Sequence, residues 1–225
     1  MAKEVVNPQE EILDNAQVQT ENFFEKNSKM VVVAIVVIFV LAAAIFGYKK
    51  LIVEPRLNDA QEMLYEAQYR FEQQNADYAL ALNGDENAPG FAAVAEQYAN
   101  TPAGNLAQIY AAACALRLGE LEQAEAYVAK YSKVKGLAGA MINAMAEGIK
   151  GDIAVEKGEY AAAAKYFETA ANTSDNDFTA PMYLRKAAQA YRKVGDNASS
   201  DKCLNVIKNK YPGSGDAREA EKYIN

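Results

Sequence analysis

Gly158-Glu-Tyr160-Ala-Ala-Ala163-Ala-Lys-Tyr-Phe167 is the clearest copy of a motif that recurs along this chain of 225 residues. An earlier copy reads Gly119-Glu-Leu121-Glu-Gln-Ala124-Glu-Ala-Tyr-Val128, and a weaker, later one reads Gly195-Asp-Asn197-Ala-Ser-Ser200-Asp-Lys-Cys-Leu204. Glycine ends a helix readily because it adopts the left-handed conformation. Apolar residues around each copy recur at three- and four-residue steps, as in an amphipathic helix. Each copy therefore predicts a helical hairpin, and hairpins of this kind bury their apolar faces by stacking on neighbours.

These copies resemble the tetratricopeptide repeat (TPR). The best unit carries Gly151-x-x-Ala154 followed by Ala163-x-x-x-Phe167-x-x-Ala170, and the third unit adds Ala188-x-x-Tyr191 and closes with Pro212. The units are longer than the roughly 34 residues typical of the family, and Ser200 replaces the usual alanine. The resemblance implies an all-α fold: a TPR-like α-solenoid of stacked helical hairpins, with repeats over about 105–212.

The rest of the soluble domain, 57–225, also has helical periodicity. An irregular helical pair is expected over 57–100, as helices at 57–75 and 90–99, separated by the turn-rich segment 83–87. A capping helix is expected over 216–225. A short linker, 49–56, precedes this domain.

Before the linker, the run from Met30 to Tyr48 carries no charge. As a helix it would reach about 28 Å, close to the thickness of the hydrocarbon core of a bilayer. The run predicts a single transmembrane helix at 30–48. A cleaved signal peptide and a buried core helix are the alternatives, and the long segment before the run argues against the former. The acidic tail 1–29 is expected to be helical near its end, either as an extension of the anchor or lying on the membrane surface.

The charges that flank the anchor do not decide its orientation. Lys26 and Lys29 stand on one side, and Lys49, Lys50 and Arg56 on the other. The rule that lysine and arginine favour the cytoplasmic side therefore gives no answer here.

Composition excludes several classes of function. The part 51–225 holds 18 basic and 24 acidic residues, a balance of −6, which is unfavourable for binding nucleic acid. The chain has no histidine, so it lacks the commonest general base and metal ligand. Cys114 and Cys203 fall in alanine-rich helical patterns and are expected to be packed thiols, with a bridge between them as the alternative. We expect no catalytic residues, no cofactor and no metal, and hence no enzyme.

The layout of the whole chain resembles a narrower family, the YfgM-type ancillary subunits of the SecYEG translocon, in a Bacteroidota-like form. An acidic tail ending Phe23-Phe24-Glu25-Lys26-Asn27 precedes the membrane helix, and Tyr98-Ala-Asn-Thr101-Pro-Ala-Gly104-Asn105-Leu106-Ala107 leads into the first repeat. The resemblance implies a single-pass protein of the bacterial inner membrane with a cytoplasmic N-terminus and a periplasmic TPR domain. It implies Sec translocon subunits and a membrane-anchored periplasmic chaperone as partners.

In such arrays the first helix of each hairpin lines a concave groove. The inward positions of these helices form the candidate site for a peptide or protein partner: Leu106, Ile109, Tyr110, Leu116, Asp152, Val155, Met182, Arg185, Gln189 and Arg192. Arg185, Lys186 and Arg192 would make one end of the groove basic, which suits a peptide with an acidic or carboxylate end. The alternative is a solvated helix face in which Tyr110 and Met182 only pack.

We therefore expect a non-catalytic, membrane-anchored TPR scaffold or co-chaperone that works through protein–protein interactions. A membrane-tethered TPR adaptor in another cell-envelope assembly process is the alternative. The sequence leaves the client and the oligomeric state open.

Overall fold

The computed structural model describes residues 8–220 and Lys222. Residues 1–7 of the expected acidic tail, and 221 and 223–225 of the expected capping helix, lie outside the described residues. The helices of the described part, in chain order, are α1 (Pro8–Tyr48), α2 (Glu54–Phe71), α3 (Tyr78–Asn83), α4 (Phe91–Gln97), α5 (Pro102–Arg117), α6 (Leu121–Lys130), α7 (Gly136–Glu156), α8 (Tyr160–Thr173), α9 (Thr179–Lys193), α10 (Asn197–Lys210) and α11 (Gly215–Ala220). One isolated backbone bridge, between Gly84 and Pro89, is the only β-type pairing found there. The expected all-α class is confirmed.

The chain divides into two compact units, one up to Pro55 and one from Arg56 onward. The first unit contains α1 and a short π-helix, Lys49–Val53. Helix α1 is kinked at Asn27, whose backbone leaves helical geometry (φ −113°, ψ 17°). The Asn27 side-chain amide donates to the carbonyl of Phe23 at 2.9 Å, so the kink keeps a local hydrogen bond.

Of the helices that the structure describes, one is long and apolar enough to cross a membrane, and it lies near the N-terminus. None of its most apolar window is buried against the rest of the chain. Most of the large apolar side chains from Met30 to Tyr48 are exposed, which is costly in water and favourable in a bilayer.

In the second unit, α5 to α10 form three consecutive hairpins, and the two helices of each hairpin are joined by the same kind of turn. Gly119, Gly158 and Gly195 end α5, α7 and α9 with φ values of 78°, 76° and 78°, which confirms the left-handed conformation expected from the motif. The glycine N–H groups donate to the carbonyl three residues back, at 3.1, 2.9 and 3.1 Å. The N–H groups of the next residues donate to the carbonyl five residues back, at 2.9, 2.8 and 3.0 Å. This is the Schellman motif repeated three times.

Alanine-rich faces bring these helices close together. Ala124 and Ala163 are completely buried near the start of α6 and α8, and each amide N–H donates at 2.9 Å to the carbonyl four residues before it. Each helix from α7 to α10 packs against the next in the chain. Two apolar clusters result, one centred on α4 and α5 and one on α8, α9 and α10.

Two glycines in α7 allow aromatic rings to lie against its backbone. A Cβ added at Gly151 would lie 2.5 Å from Cε1 of Phe167, and one added at Gly148 would lie 2.7 Å from Cζ of Tyr183. The rings of Phe167 and Tyr183 stack at 6.5 Å between centroids. The two glycines therefore set the distance from α7 to both α8 and α9.

The region before the hairpins contains a helix, α3, that helical periodicity did not predict. It starts at Asp77, whose side chain accepts a hydrogen bond from the N–H of Leu80 at 2.9 Å, and ends at Gly84, where φ is 75°. The following turn is closed by Asp85, whose carboxylate accepts hydrogen bonds from the backbone N–H groups at positions 87 and 88 and pairs with Arg70 at 2.9 Å. These local polar caps, rather than periodicity, determine the short helix.

The loop between α8 and α9 is tied to the end of α10 by Asp175. Its carboxylate pairs with Lys210 and accepts a 2.6 Å hydrogen bond from the hydroxyl of Tyr211. The hydrogen bond from Lys210, and then the one from Tyr211, lower the pKa of Asp175 below its usual value of 3.8.

Candidate functional site

The structure distributes the ten expected groove residues over three environments. Ile109 on α5 is 0% exposed, inside the first apolar cluster, and cannot meet a ligand. Tyr110 stacks on Phe91 with 4.9 Å between ring centroids and lies edge-on to Phe71 at 5.5 Å. Its ring thus packs α5 against α2 and α4, the alternative left open for Tyr110. Leu106 and Leu116 also pack against this cluster while remaining partly exposed.

The residues expected from α7 and α9 join these two helices to each other. The Asp152 carboxylate accepts from Nζ of Lys186 at 2.8 Å, and both side chains are about one-third exposed. The Lys186 ammonium also lies 5.3 Å from the centre of the Phe167 ring. Val155 and Met182 are partly buried against the second apolar cluster. The paired charges hold α7 beside α9, and Lys186 is neutralised locally.

Arg185, Gln189 and Arg192, the last three groove residues, line a cavity of about 790 Å³ between α9, α10 and α11, which we call the α9 cavity. Their spacing of four and three residues places them on one face of α9. The other lining residues come from α9, α10 and the segment of α11: Ala188, Lys193, Ser200, Leu204, Gly215, Asp216, Glu219 and Ala220. The volume falls within the usual range of ligand-binding clefts.

Hydrogen bonds orient both guanidinium groups of the α9 cavity. Nε of Arg185 donates to the Asp216 carboxylate at 2.5 Å. Nε of Arg192 donates to the hydroxyl of Ser200 at 3.0 Å, and its Nη2 pairs with Asp201 at 3.5 Å. Gln189, which is exposed, lies between the two arginines along α9.

The α9 cavity is lined by charged groups of both signs and carries little net charge. Its lining includes three cations, Arg185, Arg192 and Lys193, and two anions, Asp216 and Glu219, so the balance is only +1. The basic end expected from the sequence is therefore largely offset by carboxylates of α11. A guanidinium group carries five N–H donors, and the amide of a glutamine both donates and accepts. Such a lining suits the backbone and neutral polar side chains of a peptide better than a strongly acidic ligand.

A second cavity of about 570 Å³ lies between α2 and the segment that leads into α4, and the charged residues of its lining are mainly acidic. Asp59, Glu62 and Glu66 come from α2, while Arg70 is paired with Asp85 as described above. Sequence periodicity did not indicate this cavity, because the segment that faces α2 has no helical period.

Both cysteines are buried and free, in different apolar clusters, so they form no bridge. Burial raises the pKa of Cys114 to about 12, and burial together with the nearby Glu168 carboxylate raises the pKa of Cys203 to about 12. The thiols are therefore protonated and shielded. In the described part of the chain, no group of three or more Cys, Asp or Glu side chains is arranged to hold a metal ion.

The sequence indicated Arg185, Gln189 and Arg192 only as inward positions of a groove, and it did not indicate the wall that faces them in the α9 cavity. Ser200, Asp216 and Glu219 lie on the next two helices, and helical periodicity does not indicate which carboxylate will meet which arginine. The sequence feature that could have indicated this wall is the glycine-containing turn 213–215, after which α11 packs back against α9.

Comparison of the chain with protein-family models, with curated proteins and with solved structures finds no match.

Proposed function

We propose that this protein is a non-catalytic, membrane-anchored scaffold or co-chaperone with a TPR-like α-solenoid that binds protein segments beside a membrane. One observation carries the proposal: three successive hairpins share the same Schellman turn, in a chain that also holds an unburied apolar helix of membrane-spanning length. Hairpins repeated in this way present a continuous surface to a partner chain, and an anchor confines that surface to a membrane.

The α9 cavity is the site that we propose for the partner. Its guanidinium groups are pre-oriented donors in a cleft with apolar walls from Ala188 and Leu204. An extended peptide offers backbone carbonyls at regular spacing, so it can satisfy these donors without sequence-specific contacts. That property suits a protein that handles many clients.

The sharper form of the proposal follows from the resemblance to the YfgM-type family. In that form the protein sits in a bacterial inner membrane with its helical domain in the periplasm, beside the Sec translocon and a membrane-anchored chaperone. A tethered adaptor in another envelope assembly process is the second candidate, and the exposed apolar helix supports the two equally.

A photo-crosslinking experiment tests both forms. A photoreactive amino acid is placed at Gln189 in the α9 cavity, and at Lys165, an exposed position on α8, as the matched control. Crosslinking from Gln189 but not from Lys165 to a translocon subunit or a periplasmic chaperone is the expected result. Crosslinks to other envelope proteins would favour the second candidate, and the absence of any Gln189-specific protein crosslink would refute a partner site in this cavity.

A reporter fused to the C-terminus tests the orientation separately. The sharper form requires the reporter to be exported. A reporter that is active only in the cytoplasm would exclude periplasmic clients.

A further inference from the structure

The segment 130–141, which we call the basic tip, is positively charged in an acidic domain. It joins the end of α6 to the first turns of α7 and contains Lys130, Lys133 and Lys135 but no acidic residue. The first turn of α7 also has no acidic side chain, so the partial positive charge of the helix N-terminus adds to that of the lysines.

The basic tip also exposes large apolar side chains. Leu137 is 92% exposed, Met141 55% and Val134 42%. Leu137 and Met141 are four residues apart in α7, so they share one face of the helix. Lys133 reaches Glu147 at 3.2 Å but its side chain stays 66% exposed.

The exposure follows from the lengths of the helices. Helix α7 has 21 residues, whereas α5 and α9, which end at the same kind of glycine turn, have 16 and 15. The pairing of Asp152 with Lys186 sets α7 and α9 in a register of 34 positions. Thr179, the start of α9, therefore lies level with about position 145 of α7. The turns of α7 that precede position 145 extend past that end of α9.

Two asparagine side chains hold the loop of the basic tip in place. Asn143 is nearly buried: its Oδ1 accepts from the N–H of Val134 at 3.0 Å and its Nδ2 donates to the carbonyl of Val134 at 2.8 Å. Asn105 makes the same reciprocal pair with the backbone of Ser132, both bonds at 2.8 Å. The exposed apolar side chains therefore stand on a fixed backbone, and little ordering is needed before binding.

We propose that the basic tip binds the surface of an anionic lipid bilayer, with the lysines at the lipid phosphates and Leu137 and Met141 inserted among the headgroups. Cationic side chains beside an exposed apolar pair are the combination that binds such surfaces. Helix α1 supplies only the tether, which raises the effective concentration of lipid at the tip. This lipid contact is separate from the partner site in the α9 cavity and requires no protein client.

Phe178, just before α9, serves as an internal control for the exposed apolar side chain of Leu137. It is 86% exposed, nearly as much as Leu137, but it follows Asp175 and Asp177 rather than lysines. If exposure alone determined membrane contact, Phe178 and Leu137 would behave alike. If charge complementarity is needed, only Leu137 will contact lipid.

The test uses the full-length protein in vesicles and the quenching of a dye by brominated lipid chains. A dye is attached to a cysteine introduced by Leu137→Cys, or by Phe178→Cys as the control; the two natural thiols are buried. Vesicles contain phosphatidylcholine alone or with phosphatidylglycerol. We expect quenching at position 137 that increases with the anionic lipid and decreases with salt, and little quenching at position 178.

A charge-matched pair of triple variants completes the test. Replacing Lys130, Lys133 and Lys135 with Gln is expected to weaken the contact about fivefold per lysine, so the quenching at position 137 falls to the level in neutral vesicles. A control set of three exposed lysines outside the tip and outside the α9 cavity is also replaced with Gln, which changes the net charge equally and should leave the quenching unchanged: Lys165, Lys202 and Lys208. Circular dichroism checks that each variant is folded.

Equal quenching at positions 137 and 178, or none at 137 in anionic vesicles, would overturn the proposal. The proposal would also be overturned if lipid does not quench a dye at position 137 but a crosslinker at that position captures a protein in native membranes. The basic tip would then be a protein interface. Crosslinking from Gln189 reports the partner site separately, so the failure of either proposal is recognised without the other.

Discussion

Replacing the three turn glycines with alanine tests the repeat itself. Gly119, Gly158 and Gly195 have φ values of 78°, 76° and 78°, and a Cβ added at any of them would meet nothing within 4 Å. The cost of Ala is therefore the intrinsic cost of a left-handed L-residue, about 1–2 kcal/mol, without a steric contribution from neighbours. The three variants should lose nearly the same free energy of unfolding. For a domain of this size that corresponds to a fall in Tm of about 2–8 °C.

Gly213 is the matched control within the same domain. A Cβ there would also meet nothing within 4 Å, but its φ is not positive. Gly213→Ala should therefore be neutral or stabilising by about 0.4–1 kcal/mol, because alanine restricts the unfolded chain. Thermal unfolding of the full-length protein in detergent, followed by tyrosine near-ultraviolet circular dichroism, measures all four variants.

Two results would refute the reasoning. If Gly158→Ala behaves like Gly213→Ala, the turn does not depend on a left-handed glycine. If Gly195→Ala differs from the other two turn variants by more than about 1 kcal/mol, which is the span of the intrinsic cost, the third hairpin is not equivalent to them.

Three further predictions concern packing, acid and thiols. Gly151→Ala should lower the free energy of unfolding by about 1–3 kcal/mol through overpacking against Phe167, and the higher helix propensity of alanine should offset about 1 kcal/mol of that loss. Adding Phe167→Leu should recover part of the remaining loss in the same thermal assay. The pKa of Asp175 is lowered in the folded state, so its contribution to stability is present above about pH 3.8 and is lost as the pH falls through the lower folded value. The stability difference between wild type and Asp175→Asn should thus shrink between pH 7 and pH 3, and a constant difference would contradict that assignment. Cys114 and Cys203 should resist alkylation at pH 8 until the protein unfolds, as mass spectrometry would show; rapid labelling of the native protein would contradict their burial.

The hairpin turns could be predicted from the sequence because each depends on a local signal. A glycine after an apolar-periodic segment, followed by a second such segment, determines both the end of one helix and the start of the next. The same local reasoning predicted the apolar part of helix α1, 30–48, since the length of that run and its lack of charge suffice.

The candidate groove was predicted less well, and Ile109 shows why. Periodicity places it on the same face of α5 as Leu106 and Tyr110, but it does not show whether another helix covers that face. In the fold, α5 contacts α3, α4, α6 and α7, so most of its surface is internal. Likewise Asp216, which meets Arg185, lies far along the chain from it and on a different helix.

The basic tip arises where the chain departs from its own repeat. The similar spacing of the three turn glycines conceals two opposite changes: α6 has 10 residues against 14 in α8, and α7 has 21 against 15 in α9. If extra length served only packing, its side chains would be small or polar where no neighbour covers them, yet here they include Leu137 and Met141. Asn143 and Asn105 hold the loop in place through hydrogen bonds to its backbone, and a loop that only connected two helices would not need these bonds. The irregularity therefore has the features of a built surface, which is why we assign it a partner of its own.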